Sequence, residues 1–243
     1  LNAVDAKKLG GNIYTRTMVK NMEQKKGVWN IEVMDTISNE TKYVQAKVVV
    51  NATGPWVDSF LKNHSKQTKV DNIRLVKGSH IVVKKLFNHS YAYIFQNSDG
   101  RVFFAVPWEN EFTFIGTTDV DFMGDLDNFS ASNDEINYLC KSANQYFRSG
   151  ISSNDVIKHW SGVRPLYHDG STKAQKASRD YTIKVDSRDN KSALINIFGG
   201  KMTTYRQLSE EVTNKVGSIL GEKKSPWTSD IHLPGGDFSL TEK

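Results

Sequence analysis

The sequence predicts an α/β fold in which a nucleotide-binding layer is interrupted by a largely antiparallel sheet. Three observations lead there. The apolar run Val48-Val49-Val50 passes straight into Asn51-Ala52-Thr53-Gly54-Pro55-Trp56, where small residues after a buried strand leave room for a ligand to approach. A second apolar run, Leu194-Ile195-Asn196-Ile197-Phe198, ends in Gly199-Gly200-Lys201 and opens a helical pattern, so backbone amides and a cation can face an anion. Between the two, residues 73–116 alternate strand-forming runs with hairpin signals such as Asn-Ser-Asp-Gly, the pattern of adjacent antiparallel strands.

Taken in order, residues 1–10 have helical spacing with a glycine stop and read as the tail of a longer helix. Extended runs over 12–19, 28–36 and 42–50, separated by Lys25-Lys26-Gly27 and Ser38-Asn39-Glu40, predict an antiparallel meander. Pro55 suits the first turn of a helix reaching Leu61. Strands follow over 73–84, 91–96, 102–106 and 112–115, with Pro107-Trp108-Glu109-Asn110 as a turn. Ser132-Asn133-Asp134-Glu135 is a capping box that introduces a helix over 136–147, and a second long helix covers 204–220, with Thr203 and Thr204 placed to cap it. The expected division is a discontinuous nucleotide-binding domain (1–70 and 192–225), a sheet domain (71–191) and the start of a C-terminal region (226–243).

Composition narrows the function classes. The chain has 243 residues, 38% of them hydrophobic and 24% charged, with a mean hydropathy of −0.51, and no apolar run is long enough to span a bilayer. One cysteine, Cys140, excludes an internal disulfide; on its helical stretch it reads as a small buried apolar residue. The net charge of +5 suits an anionic partner, but the Lys/Arg residues are scattered and no basic helix or aromatic nucleic-acid signature accompanies them. Nucleic acid is therefore not an expected partner; an acidic membrane surface and a phosphorylated small molecule stay open, and solvated faces account for most of the cations.

Four cationic positions lie beside turn or strand residues that can project them into one cleft: His80, Arg164, Arg179 and Lys201. Arg offers a planar fork matched to carboxylate or phosphate oxygens, and imidazole accepts a proton near neutral pH. Each has a structural alternative. Arg179 can pair with Asp180 or Asp186, and His80 can be a hydrogen-bonded core histidine. Asp119 and Asp121, two apart on an extended segment, lack the glycine and distal glutamate of a calcium loop, and the six histidines show no metal-ligand spacing, so no metal is expected. There is no Gly-x-Ser-x-Gly elbow and no P-loop.

Six phrases in order, Val49 to Trp56, Ile73 to Val83, Ile115-Gly116-Thr117-Thr118-Asp119, Ser161-Gly162-Val163-Arg164-Pro165-Leu166, Ser178-Arg179-Asp180-Tyr181 and Phe198 to Arg206, resemble the FAD-dependent, quinone-linked glycerol-3-phosphate dehydrogenases. The resemblance runs from Leu1 to about Gly236. It implies a partial Rossmann-like FAD-binding domain with an antiparallel-sheet substrate domain, of the D-amino-acid-oxidase and glycine-oxidase type. It also implies oxidation of sn-glycerol 3-phosphate to dihydroxyacetone phosphate, with electrons passed to quinone at the inner face of the cell membrane by a cytoplasmic, peripherally attached protein. Carried over by resemblance, His80, Arg164 and Lys201 are catalytic, and Arg179 joins them in binding substrate. Asn51, Ala52, Thr53, Gly54 and Trp56, with Gly199, Gly200, Lys201, Met202, Thr203 and Thr204, contact FAD. The family's opening strand, Gly-x-Gly-x-x-Gly turn and helix are not found in this sequence, which leads to the expectation of a fragment whose missing FAD-binding segment a second chain could carry. The alternatives are a related flavin amine oxidase and a cofactor-free, non-catalytic remnant.

Overall fold

The computed structural model describes residues 1–64, 70–168, 170, 178–187, 192–222 and 224–238. In chain order its elements are α1 (Asn2–Lys8), β1 (Thr17–Lys25), β2 (Val28–Asp35), β3 (Thr41–Ala46), β4 (Val48–Asn51), α2 (Val57–His64), β5 (Ile73–Lys84), β6 (Tyr93–Gln96), β7 (Val102–Trp108), β8 (Phe112–Gly116), β9 (Val120–Asp121), α3 (Asn133–Asn144), β10 (Lys158–Tyr167), β11 (Thr182–Asp186), β12 (Ala193–Phe198) and α4 (Tyr205–Leu220). They fall into two units, the first made of Leu1–Thr53, Ser59–Val70 and Ile183–Lys243, the second of Gly54–Asp58 and Asp71–Thr182.

In the first unit, β1, β2 and β3 form the antiparallel meander. The run expected as one strand over 42–50 is two: it breaks at Lys47, and β4 leaves the meander to pair in parallel with β12, Asn51 beside Asn196. The first strand also starts later than expected, at Thr17. The meander rests on the parallel pair through Trp29, which is buried and donates its indole N–H to the Ala193 carbonyl at 3.0 Å. A buried indole needs such an acceptor. Strand β12 is buried along its length except at Ile197, as expected for a strand covered on both faces.

The second unit is built on a sheet in the order β10-β5-β8-β7-β6, with β9 also pairing β5, and every pairing is antiparallel. Strand β7 extends through Pro107 and Trp108, so the hairpin turn is at Glu109 and Asn110, both at positive φ. Side chains alternate between the two faces of a strand. One face of the sheet presents Ile81, Val83, Phe103, Ala105 and Ile115, which pack with Ile136, Leu139, Cys140 and Ala143 of α3 into the unit's core. Helix α3 begins at the expected capping box: the Ser132 hydroxyl accepts from the Glu135 amide, and the Glu135 carboxylate accepts from the Ser132 amide. Cys140 is buried in that core. The other face carries His80, Gly78, Gly116, Phe114, Trp160 and Arg164, as their cross-strand partners show.

Leu139 has no exposed surface. Leu139→Ala is expected to lower stability by about 2–5 kcal/mol, read as a fall in the urea midpoint.

Candidate active site

The site face of the second unit depends on β5 and on glycines opposite its functional residues. His80 pairs with Trp160 on one side and Gly116 on the other. The imidazole lies flat over Gly116: a β-carbon there would fall on its Cδ2 and come within 2.8 Å of Nε2. The ring stacks on Phe114 at 4.7 Å with the planes 7° apart, and Phe114 in turn stacks on Trp160 at 4.9 Å. Arg164, opposite Val76, extends its guanidinium over Gly78, where a β-carbon would meet Nη1 and lie 2.6 Å from Thr117 Oγ1. Opposite Gly78 stands Gly162, above which a β-carbon would meet nothing within 4 Å. The glycines thus clear space for a histidine ring and a guanidinium group on one face.

Charge is organised around Asp119. Its Oδ1 lies 3.2 Å from Arg164 Nη1 and 3.5 Å from Arg179 Nη2. Arg164 also donates to the Thr117 hydroxyl at 3.0 Å. Arg179 therefore pairs with Asp119 rather than with Asp180 or Asp186, the partners its sequence neighbourhood suggests; residues far apart in the chain meet because residues 116–119 and 178–181 belong to the same unit. Asp121, two residues on, pairs with Arg74. Burial holds Arg164 below the usual guanidinium range, with Asp119 opposing the shift and the like charge of Arg179 adding to it; the group stays cationic at any physiological pH. Burial, and then the charge of Arg164, lower the His80 pKa to about 4. His80 is accordingly neutral at pH 7 and can accept a proton.

In the first unit, Asn51 ends β4 beside Asn196 of the parallel strand β12, and their buried side chains are joined by a 3.0 Å hydrogen bond. The Thr53 hydroxyl donates to Asn51 Oδ1 at 2.7 Å. Beyond the C-terminal end of β12, Gly199 and Gly200 take φ of 72° and 97°, conformations that favour glycine. Lys201 is exposed, and Met202–Thr204 form a 3-10 turn ahead of α4. The Thr204 hydroxyl closes that turn on the Lys201 backbone; it does not cap α4, which has no side-chain cap. The expected threonine cap is thus used one turn earlier. Ala52 and Thr53 follow β4 in the same unit, whereas Gly54 and Trp56 belong to the second. The structure brings His80, Arg164 and Arg179 together in the second unit; Lys201 lies in the first.

A family model for FAD-dependent oxidoreductases matches residues 1–206. The chain belongs to that family. It is 40% identical over 235 residues to the aerobic glycerol-3-phosphate dehydrogenase of Escherichia coli strain K12, covering 97% of this chain and 47% of that protein. It is 39% identical over 239 residues to the D-erythritol 1-phosphate dehydrogenase of Brucella abortus strain 2308, covering 98% and 47%. Among solved structures, the glycerol-3-phosphate dehydrogenase of Bacillus halodurans complexed with FAD superposes with a TM-score of 0.81 at 30% identity, covering 96% of this chain and 44% of that one. The chain spans about half the length of the curated relatives it matches. The fold is that of the D-amino-acid-oxidase type, α/β with antiparallel sheets.

The first unit's residues fit the family's cofactor. Loops at the carboxyl ends of two adjacent parallel strands, one with paired positive-φ glycines, are where α/β sheets bind nucleotides. Three features of the second unit escaped the sequence reading: Asp119 as the shared counter-charge, the Phe114–Trp160 stack behind His80, and buried Glu135 as more than a helix cap. The capping box is a sequence signal for Glu135; nothing local marks the other two.

Of the groups that make stability depend on acid, His80 and Glu135 are shifted furthest. His80 binds its proton near pH 4 when folded and near 6.5 when unfolded. Its contribution is therefore complete above pH 6.5 and is lost as pH falls through about 4. Glu135, whose carboxyl is pulled from 4.5 down to about 2, contributes fully above pH 4.5 and loses that contribution as pH falls through about 2. Unfolding free energy measured by urea titration should decline as pH falls from 6.5 through 4 and again in the carboxylate range, and His80→Gln should shrink the upper decline, leaving the part due to His64, whose pKa burial also lowers.

Proposed function

We propose that this chain carries the substrate-binding and proton-accepting groups of an FAD-dependent dehydrogenase for a phosphorylated polyol. On this reading sn-glycerol 3-phosphate is oxidised to dihydroxyacetone phosphate and the electrons pass to quinone. The observation that carries it is the Arg164–Asp119–Arg179 cluster beside a neutral His80. Two guanidinium forks on one face match a dianionic phosphate; a flavin amine oxidase would need one carboxylate-binding arginine and an apolar pocket. A cofactor-free remnant would have no use for the paired glycines at 199 and 200.

In this account Arg164 and Arg179 grip the phosphate and thereby orient the secondary alcohol two carbons away. Bound FAD supplies the acceptor for the hydride that leaves that carbon. Asn51, Ala52, Thr53, Gly54, Trp56 and residues 199–204 hold the cofactor. His80 takes the hydroxyl proton as the carbonyl forms. Its low basicity in the free protein rises when the phosphate offsets the positive charge of Arg164. Lys201 is assigned to the oxygen on which negative charge develops. Quinone as acceptor, and a site of action at the inner membrane face, follow from the family resemblance; among the described residues no helix is long and apolar enough to cross a membrane.

The similarity to a D-erythritol 1-phosphate dehydrogenase favours a second substrate reading, since that ester also places a terminal phosphate on a polyol. Dye reduction by protein supplied with FAD separates them by the ratio of kcat/KM for the two esters, with glycerol a poor substrate for either. Arg164→Ala and Lys201→Ala should each lower kcat/KM for the preferred ester by about 10–100-fold, the scale of a lost charge-assisted hydrogen bond. Unchanged kcat/KM in Arg164→Ala would remove the phosphate assignment.

A further inference from the structure

The turn over residues 116–119 holds the arginines through two of its side chains and is itself held by a third. Thr117 and Asp119 contact Arg164, and Asp119 also contacts Arg179. Thr118, between them, points the other way and is 1% exposed. Its hydroxyl donates to Glu135 Oε1 at 2.8 Å and accepts the Ser79 amide at 2.9 Å, and its own amide donates to the Ser79 carbonyl at 3.3 Å. Three bonds therefore fix one residue of the turn to strand β5 and helix α3.

Glu135 is built for more than capping. The cap uses Oε2, which accepts from the Ser132 amide and hydroxyl at 3.0 Å each and pairs with Lys77 at 2.8 Å. Oε1 is not needed for that, yet it accepts the hydroxyls of both Thr118 and Ser79 at 2.8 Å. A cap carboxylate can lie in water at little cost. Burying this one to 6% exposure is tolerable because five donors meet it, and removing a donor leaves a buried acceptor short of a partner.

We propose that Thr118, anchored by the buried Glu135 carboxylate, is a positioning residue that sets the placement of Arg164 and Arg179 for phosphate. The proposal rests on the reading of those arginines as the phosphate site. A purely structural anchor would affect stability but leave phosphate affinity in the folded protein unchanged.

The test uses the full chain with inorganic phosphate as the probe, by calorimetric titration, in wild type, Thr118→Val and Thr118→Ser. Loss of the hydroxyl at nearly constant volume should weaken phosphate binding by about tenfold, and the serine, which keeps the hydroxyl, should restore it to within about twofold. Wild-type affinity in a folded Thr118→Val overturns the proposal. If the valine variant does not fold, Thr118→Ala removes the same hydroxyl and is read in the same way. If wild type binds no phosphate, the phosphate reading itself fails, and positioning is read from the rate of phenylglyoxal modification at Arg164, by mass spectrometry. That rate should rise in Thr118→Val and return to the wild-type value in Thr118→Ser; equal rates in all three overturn the proposal.

Discussion

Two guanidinium groups repel each other, and a protein that brings them together must provide a counter-charge. Asp119 provides it, with one carboxylate oxygen near both Arg164 and Arg179. A single carboxylate between two cations leaves a net positive charge, enough to attract an anion. Much of the second unit's architecture serves that arrangement. Gly78 gives the Arg164 guanidinium a surface to lie on, and Gly116 does the same for His80. The Phe114–Trp160 stack buries one flank of the imidazole, and that burial, with the nearby arginine, keeps it neutral.

The same sheet faces two ways, and this links stability to the site. One face of β5 sends Ile81 and Val83 into the core under α3, while the other carries Gly78 and His80. Between these roles sits Ser79, whose hydroxyl meets Glu135 Oε1 at 2.8 Å and Ser161 Oγ at 2.7 Å. The Lys77–Glu135 pair is almost fully removed from water. Buried ion pairs stabilise weakly when compared with apolar replacements. Its value here lies in fixing a turn relative to a strand and a helix at a definite spacing.

Legibility followed the range of the interaction. Strand-forming residues bounded by turn signals marked β5 over 73–84, and the Ser132–Glu135 box marked the start of α3, because these signals are local. The run over 42–50 reads as one strand because both sides of Lys47 are extended and no glycine, proline or other turn residue marks the switch between sheets. His80, Arg164 and Arg179 were recognisable as chemistry, and the resemblance ordered them, but the choice of Asp119 over Asp180 or Asp186 depends on a contact across 60 residues. No composition or spacing rule encodes such a partner. The glycines were visible as motif letters, while their function, making room for neighbouring side chains, appears only once the register is known.

The titration of the His80 ring by NMR, alone and with sn-glycerol 3-phosphate or glycerol, tests most directly whether histidine and arginine face one phosphorylated ligand. The account predicts a midpoint near pH 4 in the free protein, moved upward by the phosphate ester as its charge offsets Arg164, and unmoved by glycerol. A free midpoint near the ordinary value of 6.5, indifferent to the phosphate ester, would contradict it.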